Sequence, residues 1–203
     1  MKQFVRVLVV LVAMLGSAAS YAFGMERFVE GVHYSRIGQA DPQPGSVLEF
    51  FSFGCPHCAR LEPALEKWLA SKPAKAEFSR IPVTWNPHFA FLAQLYFTAD
   101  ALGLKGDAMQ TVFDHIHKHK KPLENEQDAA ALFASLGVDA ARFQTAWNAP
   151  DMVGRMNDAQ EKMLRFQVRG VPAFVVGGQY MTSVAMAGSE AELFEVIEFL
   201  LSR

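Results

Sequence analysis

The chain has 203 residues, of which 51% are hydrophobic and 12% aromatic, and a formal net charge of −2 at pH 7. This apolar content can supply a sizeable core, and the absence of a basic stripe excludes the electrostatic footprint of a nucleic-acid binder. Only two cysteines occur, at positions 55 and 58, so the chain is not a small scaffold held together by disulfides.

The first residues read as a targeting segment. Lys2 and Arg6 are followed by nine apolar residues, Val7 to Leu15, and then by small residues ending in Ser20-Tyr21-Ala22. That order predicts a secretory signal peptide over residues 1–22, cleaved near Ala22. An uncleaved anchor is the alternative, but the run is far shorter than the roughly 20 residues needed to span a bilayer. Cleavage leaves 181 residues and, because the segment holds two basic and no acidic residues, a net charge of −4. That length suits one domain with an insertion.

Val47 to Phe53 is nearly all apolar and rich in aromatics, which predicts a strand buried on both faces. Gly54 ends it, and a helix begins at the cysteines, with Leu61, Leu65, Trp68 and Leu69 at helical spacing. Pro56 fits the first turn, where its missing N–H is no loss; Pro63 falls inside the same helix and is expected to kink it. Ala76 to Ile81 reads as a second strand. From residue 85 to 150 the character is helical. Phe89, Leu92, Ala93, Tyr96 and Phe97 form a stripe, Asn125 or Glu124 caps a run ending at Gly137, and Asp139 caps the next, with Phe143 and Trp147 one turn apart. Pro150 breaks the chain, and Met152, Met156 and Met163 then line one face of a longer helix, read as core packing. Strand character returns at Ala173 to Val176, and Gly177-Gly178 signals a two-residue hairpin. A last helix opens with the capping box Ser189 and Glu192 and carries Leu193, Phe194, Ile197, Leu200 and Leu201. The order predicts an α/β sheet domain built from residues 23–84 and 151–203 and interrupted by a helical insertion over 85–150.

The chemistry sits in Cys55-Pro56-His57-Cys58. The first cysteine of such a pair meets the free N–H groups and dipole of a helix start, which favour its thiolate. Cys55 is therefore the expected exposed nucleophile, and Cys58, one turn in, the resolving thiol. Pro56 supplies no N–H, and His57 can add positive charge beside the thiolate. A stabilised thiolate means a stabilised reduced form, so the disulfide is readily given away. A structural disulfide closing so small a loop contributes little, and half a zinc site would lack two ligands; no metal or other cofactor is expected beyond the redox-active pair itself.

The stretch Phe50-Phe51-Ser52-Phe53-Gly54-Cys55-Pro56-His57-Cys58 resembles the active site of the DsbA family of bacterial periplasmic disulfide donors. Gly170-Val171-Pro172-Ala173 resembles the family's second signature, and the likeness runs over nearly all the mature chain, including Trp147-Asn148. The resemblance implies a thioredoxin fold with an inserted helical domain, a periplasmic location, exported unfolded proteins as clients, reoxidation by a membrane partner of the DsbB type, and a monomer. The very acidic first cysteine and strongly oxidising couple it also implies belong to the family as such. It implies further that Pro172 is cis and faces the disulfide, exposing the backbone of Val171 for pairing with an extended client; unaided, the sequence shows only a proline before a strand, for which trans is the default. Gly54 departs from the bulkier residue of some relatives, which alters the rim beside Cys55.

Glu49 lies inside an apolar strand, where a carboxylate must be protonated or paired. It is either a proton relay for Cys58, as the family's acid at this position implies, or a solvated edge residue. Glu62 either joins the same charge cluster or lies on a wet helix face. His115 and His119 share a helix face and His117 does not; weak metal binding by that pair is the alternative to a solvated helix end, which the neighbouring Lys118, Lys120 and Lys121 favour. His88 is assigned no chemistry. Beside the disulfide donor, a reductase or isomerase using the same dithiol and a peptide-binding chaperone remain as alternative functions.

Overall fold

The computed structural model describes residues 26–38 and 41–203; the predicted signal peptide lies outside them. The elements run β1 (Ser35–Arg36), β2 (Ser46–Phe51), α1 (Pro56–Ser71), β3 (Glu77–Pro82), α2 (Pro87–Ala101), α3 (Lys105–Phe113), a π-helical turn (Asp114–Lys118), α4 (Glu126–Ser135), α5 (Ala140–Trp147), α6 (Met152–Arg165), β4 (Ala173–Val176), β5 (Tyr180–Thr182), α7 (Val184–Ala187) and α8 (Glu190–Leu201).

The five strands form one sheet in the order β1-β5-β4-β2-β3, with β2 and β3 parallel and the other pairs antiparallel. The two central strands explain the apolar runs in the sequence. All four residues of β4 are buried: Ala173 and Val175 face one core, Phe174 and Val176 the other. Successive strand side chains point to opposite faces, so a strand covered on both sides needs apolar residues throughout. One core joins Phe50 and Phe53 to the helices between β3 and β4, including Phe113, Phe133 and Phe143. The other packs Leu61, Leu65 and Trp68 of α1 against Leu193 and Ile197 of α8. This is the thioredoxin fold with a helical domain inserted.

Local signals account for the helix ends. The side chains of Asn86, Asn125, Asp139 and Ser189 each accept from the backbone N–H three residues on, satisfying a donor that the helix cannot use itself. Pro63 sits on the exposed side of α1, and the helix continues past it to Ser71. The helix predicted from a single stripe, α2, buries residues on most of its circumference, from Leu92 to Ala99, because it lies between the sheet and the other inserted helices. Met152 and Met163 are buried and Met156 packs against the same core. The Gly177-Gly178 turn differs from the expected hairpin. Val176 pairs with Tyr180, which leaves three residues in the turn, and both glycines have positive φ, 61° and 68°, a region open to glycine at no steric cost.

Candidate active site

The end of β2 delivers the chain to the site. Gly54 donates to Ser52 Oγ at 3.1 Å and Cys55 donates to the Ser52 carbonyl at 3.0 Å, which turns the backbone into α1. Leu92 of α2 packs so closely that a Cβ at Gly54 would lie 3.1 Å from its Cδ1; the small residue admits the helical domain to the edge of the dithiol. Cys55 is the N-cap of α1, its sulfur accepting from the Cys58 N–H at 3.4 Å, and Pro56 opens the helix.

Both cysteines are free thiols. Cys55 is 8% exposed and Cys58 1%, so Cys55 is not the exposed thiol expected but a buried one, the more accessible of the two. Their acidities diverge. The Cys58 thiol donates to the Cys55 sulfur, and this, with the N–H groups of Cys58 and His57 and the charge His57 can carry, outweighs burial and lowers the Cys55 pKa from 9.0 to about 6. Desolvation is the largest effect on Cys58, and the neighbouring sulfur and Glu49 push the same way, so its pKa is raised far above the ordinary range.

The chain returns to the site 116 positions later: the Cys55 sulfur lies 3.4 Å from the carbonyl oxygen of Val171. The Val171–Pro172 bond is cis, Pro172 is buried and Val171 half-buried. Beside them opens a recess of about 580 Å³ whose lining includes His57, Arg60, Val171, Pro172, Met181 and Met186. His57 is exposed, and its Nδ1 lies 2.5 Å from a guanidinium nitrogen of Arg60. Guanidinium has no acceptor, so Nδ1 is the accepting nitrogen in this contact, and His57 carries a charge only when the contact is given up.

Beneath Cys58 lies a charge cluster. Glu49 is 2% exposed, not an edge residue in solvent, and sits opposite Arg80 in the parallel register. One guanidinium, that of Arg80, meets Glu49 at 3.0 Å, Glu62 at 2.9 Å and Glu66 at 3.0 Å. The Glu66 contact is an aligned hydrogen bond, whereas those to Glu49 and Glu62 are ion pairs lying off the N–H direction. Glu62 is thus buried and paired, not on a wet helix face. Burial raises the Glu49 pKa to about 8 and that of Glu62 to about 7, against the lowering effect of Arg80. Three carboxylates share one cation, so the cluster holds a proton near neutral pH.

Several site residues escaped the sequence reading. Arg80 could have been found by the logic applied to Glu49, since a charge inside Phe78-Ser79-Arg80-Ile81 must have a partner. The sequence places His117 in a solvated helix end, yet its Nε2 lies 2.7 Å from the carbonyl of Phe53, two residues before Cys55. The chain there is π-helical, with His119 donating to the Asp114 carbonyl five residues back. The wider turn brings His117 inward to that carbonyl. Arg60 carried no signal. Among the described residues no cluster of three or more His, Cys, Asp or Glu is arranged to hold a metal ion, and no helix is long and apolar enough to cross a membrane. His88 is exposed.

A family model described as the DSBA-like thioredoxin domain matches residues 73–194. The thiol:disulfide interchange protein DsbA of Bordetella bronchiseptica is 34% identical over 94% of this chain and 94% of its own length; that of Pseudomonas aeruginosa is 31% identical over 96% and 95%. The crystal structure of Pseudomonas aeruginosa DsbA superposes with a TM-score of 0.81 at 31% identity, covering 86% of this chain and 93% of that one. The oxidoreductase NmDsbA1 from N. meningitidis gives 0.72 at 30%, covering 86% and 92%.

Proposed function

Because this chain belongs to the DsbA family of thiol:disulfide interchange proteins, we propose that its activity is divided among the residues described above as follows. It is a thiol–disulfide oxidoreductase that donates the Cys55–Cys58 disulfide. In the oxidised protein a client thiolate attacks the Cys55 sulfur; the client–Cys55 disulfide forms and Cys58 departs. The departing sulfur is buried and strongly basic, so it needs a proton, and Glu49, neutral below about pH 8, is the acid placed to relay one. The client's second thiolate then attacks the client sulfur of the mixed disulfide and releases Cys55 as a thiolate. The client loses two electrons and two protons; the protein gains two electrons, keeps one proton on Cys58 and gives the other to solvent.

The observation that carries this reading is the asymmetry of the two thiols. A sulfur with a pKa of about 6 is a good leaving group at pH 7, and a stabilised thiolate holds the protein in its reduced form after transfer. That direction favours a donor over a reductase. Val171 supplies the place for the client: its carbonyl faces Cys55, and an extended segment pairing there adds a short strand to the site. Exported unfolded proteins are the proposed clients, a DsbB-type membrane protein the proposed reoxidant, the periplasm the location after cleavage near Ala22, and a monomer the working form. The test is to mix oxidised protein with a reduced, unfolded dithiol substrate and count free thiols on both. Stoichiometric transfer by the wild type and none by Cys55→Ser is expected; no transfer by the wild type would remove the donor reading.

A further inference from the structure

The chain carries a net negative charge, but the rim of the recess beside the dithiol does not. Arg60, one turn past His57 on α1, and Arg169, two residues before Val171, are both exposed and both line it. Elsewhere arginines have carboxylates: Arg27, Arg36, Arg155, Arg165 and Arg203 each form an ion pair, as Arg80 does in the core. Among the described residues Arg60 and Arg169 have none, and neither does Arg142 of α5, away from this recess. The contact of Arg60 with His57 uses one of five N–H donors. Two guanidinium groups with free donors at the mouth of a largely apolar recess fit a carboxylate, which each can bind through a two-pronged contact.

Their position sets where that carboxylate lies. The Val171 carbonyl is 3.4 Å from the Cys55 sulfur, and an extended chain advances about 3.3 Å per residue. The backbone of Arg169 is therefore within one or two residues' span of the point where the client cysteine must sit. Glu190, at the start of α8, is the one carboxylate lining the recess, against two arginines, so the lining's net charge favours an acidic side chain. Arg60 also borders a second recess that includes His117, Lys118 and Lys120 with Asp114, and Asp114 is already paired with Lys118.

We propose that Arg60 and Arg169 make this site select client segments that carry an acidic side chain beside their cysteine. The proposal rests on the disulfide-donor reading and names its preferred client. It is tested with three reduced peptides, identical except that the residues flanking the cysteine are Asp, Ser or Lys. The rate of reaction with the oxidised protein is divided by each peptide's own thiolate fraction, because neighbouring charge alters that fraction as well. The wild type is expected to prefer the Asp peptide over the Ser peptide by roughly three- to tenfold. The ratio should fall towards one in the Arg60→Gln, Arg169→Gln double variant, and also in about 0.5 M salt, which screens exposed charges. The ratio is internal to each protein, so a variant of reduced overall rate still gives a reading. Equal rates for Asp and Ser peptides in a wild type that oxidises both would overturn the proposal and leave the donor reading intact, with the arginines serving another anion. A preference that persists unchanged in the double variant would overturn it too. Failure to oxidise even the Ser peptide would overturn the donor reading and the proposal together.

Discussion

Cys55 and Cys58 share one helix end, yet the ground around each pulls it the opposite way. On the Cys55 side lie hydrogen-bond donors, a histidine and the recess beside Val171; the thiol there is acidic. On the Cys58 side lie a closed core and three carboxylates around one arginine; the thiol there keeps its proton. A helix start alone does not set thiol acidity. The donors that reach the sulfur decide it on one side, and desolvation decides it on the other. Disulfide transfer needs both, because one sulfur must leave as a thiolate and the other must be reprotonated in a place that water does not reach.

The comparison breaks first at Arg80. Replacing it by Met leaves Glu49 and Glu62 buried without their cation, and the loss of stability is expected to be about 3–5 kcal/mol, read by urea unfolding at pH 7. A loss below about 1 kcal/mol would show that the cluster is already fully protonated and that Arg80 is not what holds it.

Next comes the pH dependence of Glu49. Its folded pKa of about 8 lies above the ordinary 4.5, so its contribution is fully present below pH 4.5 and is lost as pH rises through 8. The oxidised protein, which has no thiols to titrate, is expected to lose a few kcal/mol between pH 5 and pH 9, and Glu49→Gln should flatten that slope. A slope unchanged by the substitution would place the titration elsewhere in the cluster.

The smallest expected effect belongs to the bridge between the two regions of the fold. His117→Ala removes the partner of the Phe53 carbonyl and should cost about 1–2 kcal/mol, measured in the same unfolding assay. A neutral result would mean that the inserted helices position the dithiol through packing at Leu92 and Phe113 alone.

Much of this was legible in the sequence because it is written locally. The apolar β2 and β4, the caps Asn125, Asp139 and Ser189, and the dithiol at a helix start each depend on neighbours in the chain. What escaped depends on distance in sequence. β1 and α7 are two and four residues long, held by the elements they pack on and not by any period of their own. The three-residue turn after Val176 is set by strand register. The π-helical turn has no local signature, so His117 looked solvated. The pairing of Arg80 with Glu49 crosses between parallel strands, and Glu49 read alone left its surroundings open.

The most direct measurement is the titration of the Cys55 thiolate by its ultraviolet absorbance in the reduced protein, with the oxidised protein as blank. The same shift has a consequence for stability. With the folded pKa at about 6 and the ordinary value at 9.0, the contribution is complete above pH 9 and vanishes as pH falls through 6. At pH 7 part of it remains, and it favours the reduced form. The absorbance should rise with a midpoint near pH 6; a midpoint near 9 would mean that the donors reaching the Cys55 sulfur do not stabilise the thiolate, and the case for a disulfide donor built on it would fail.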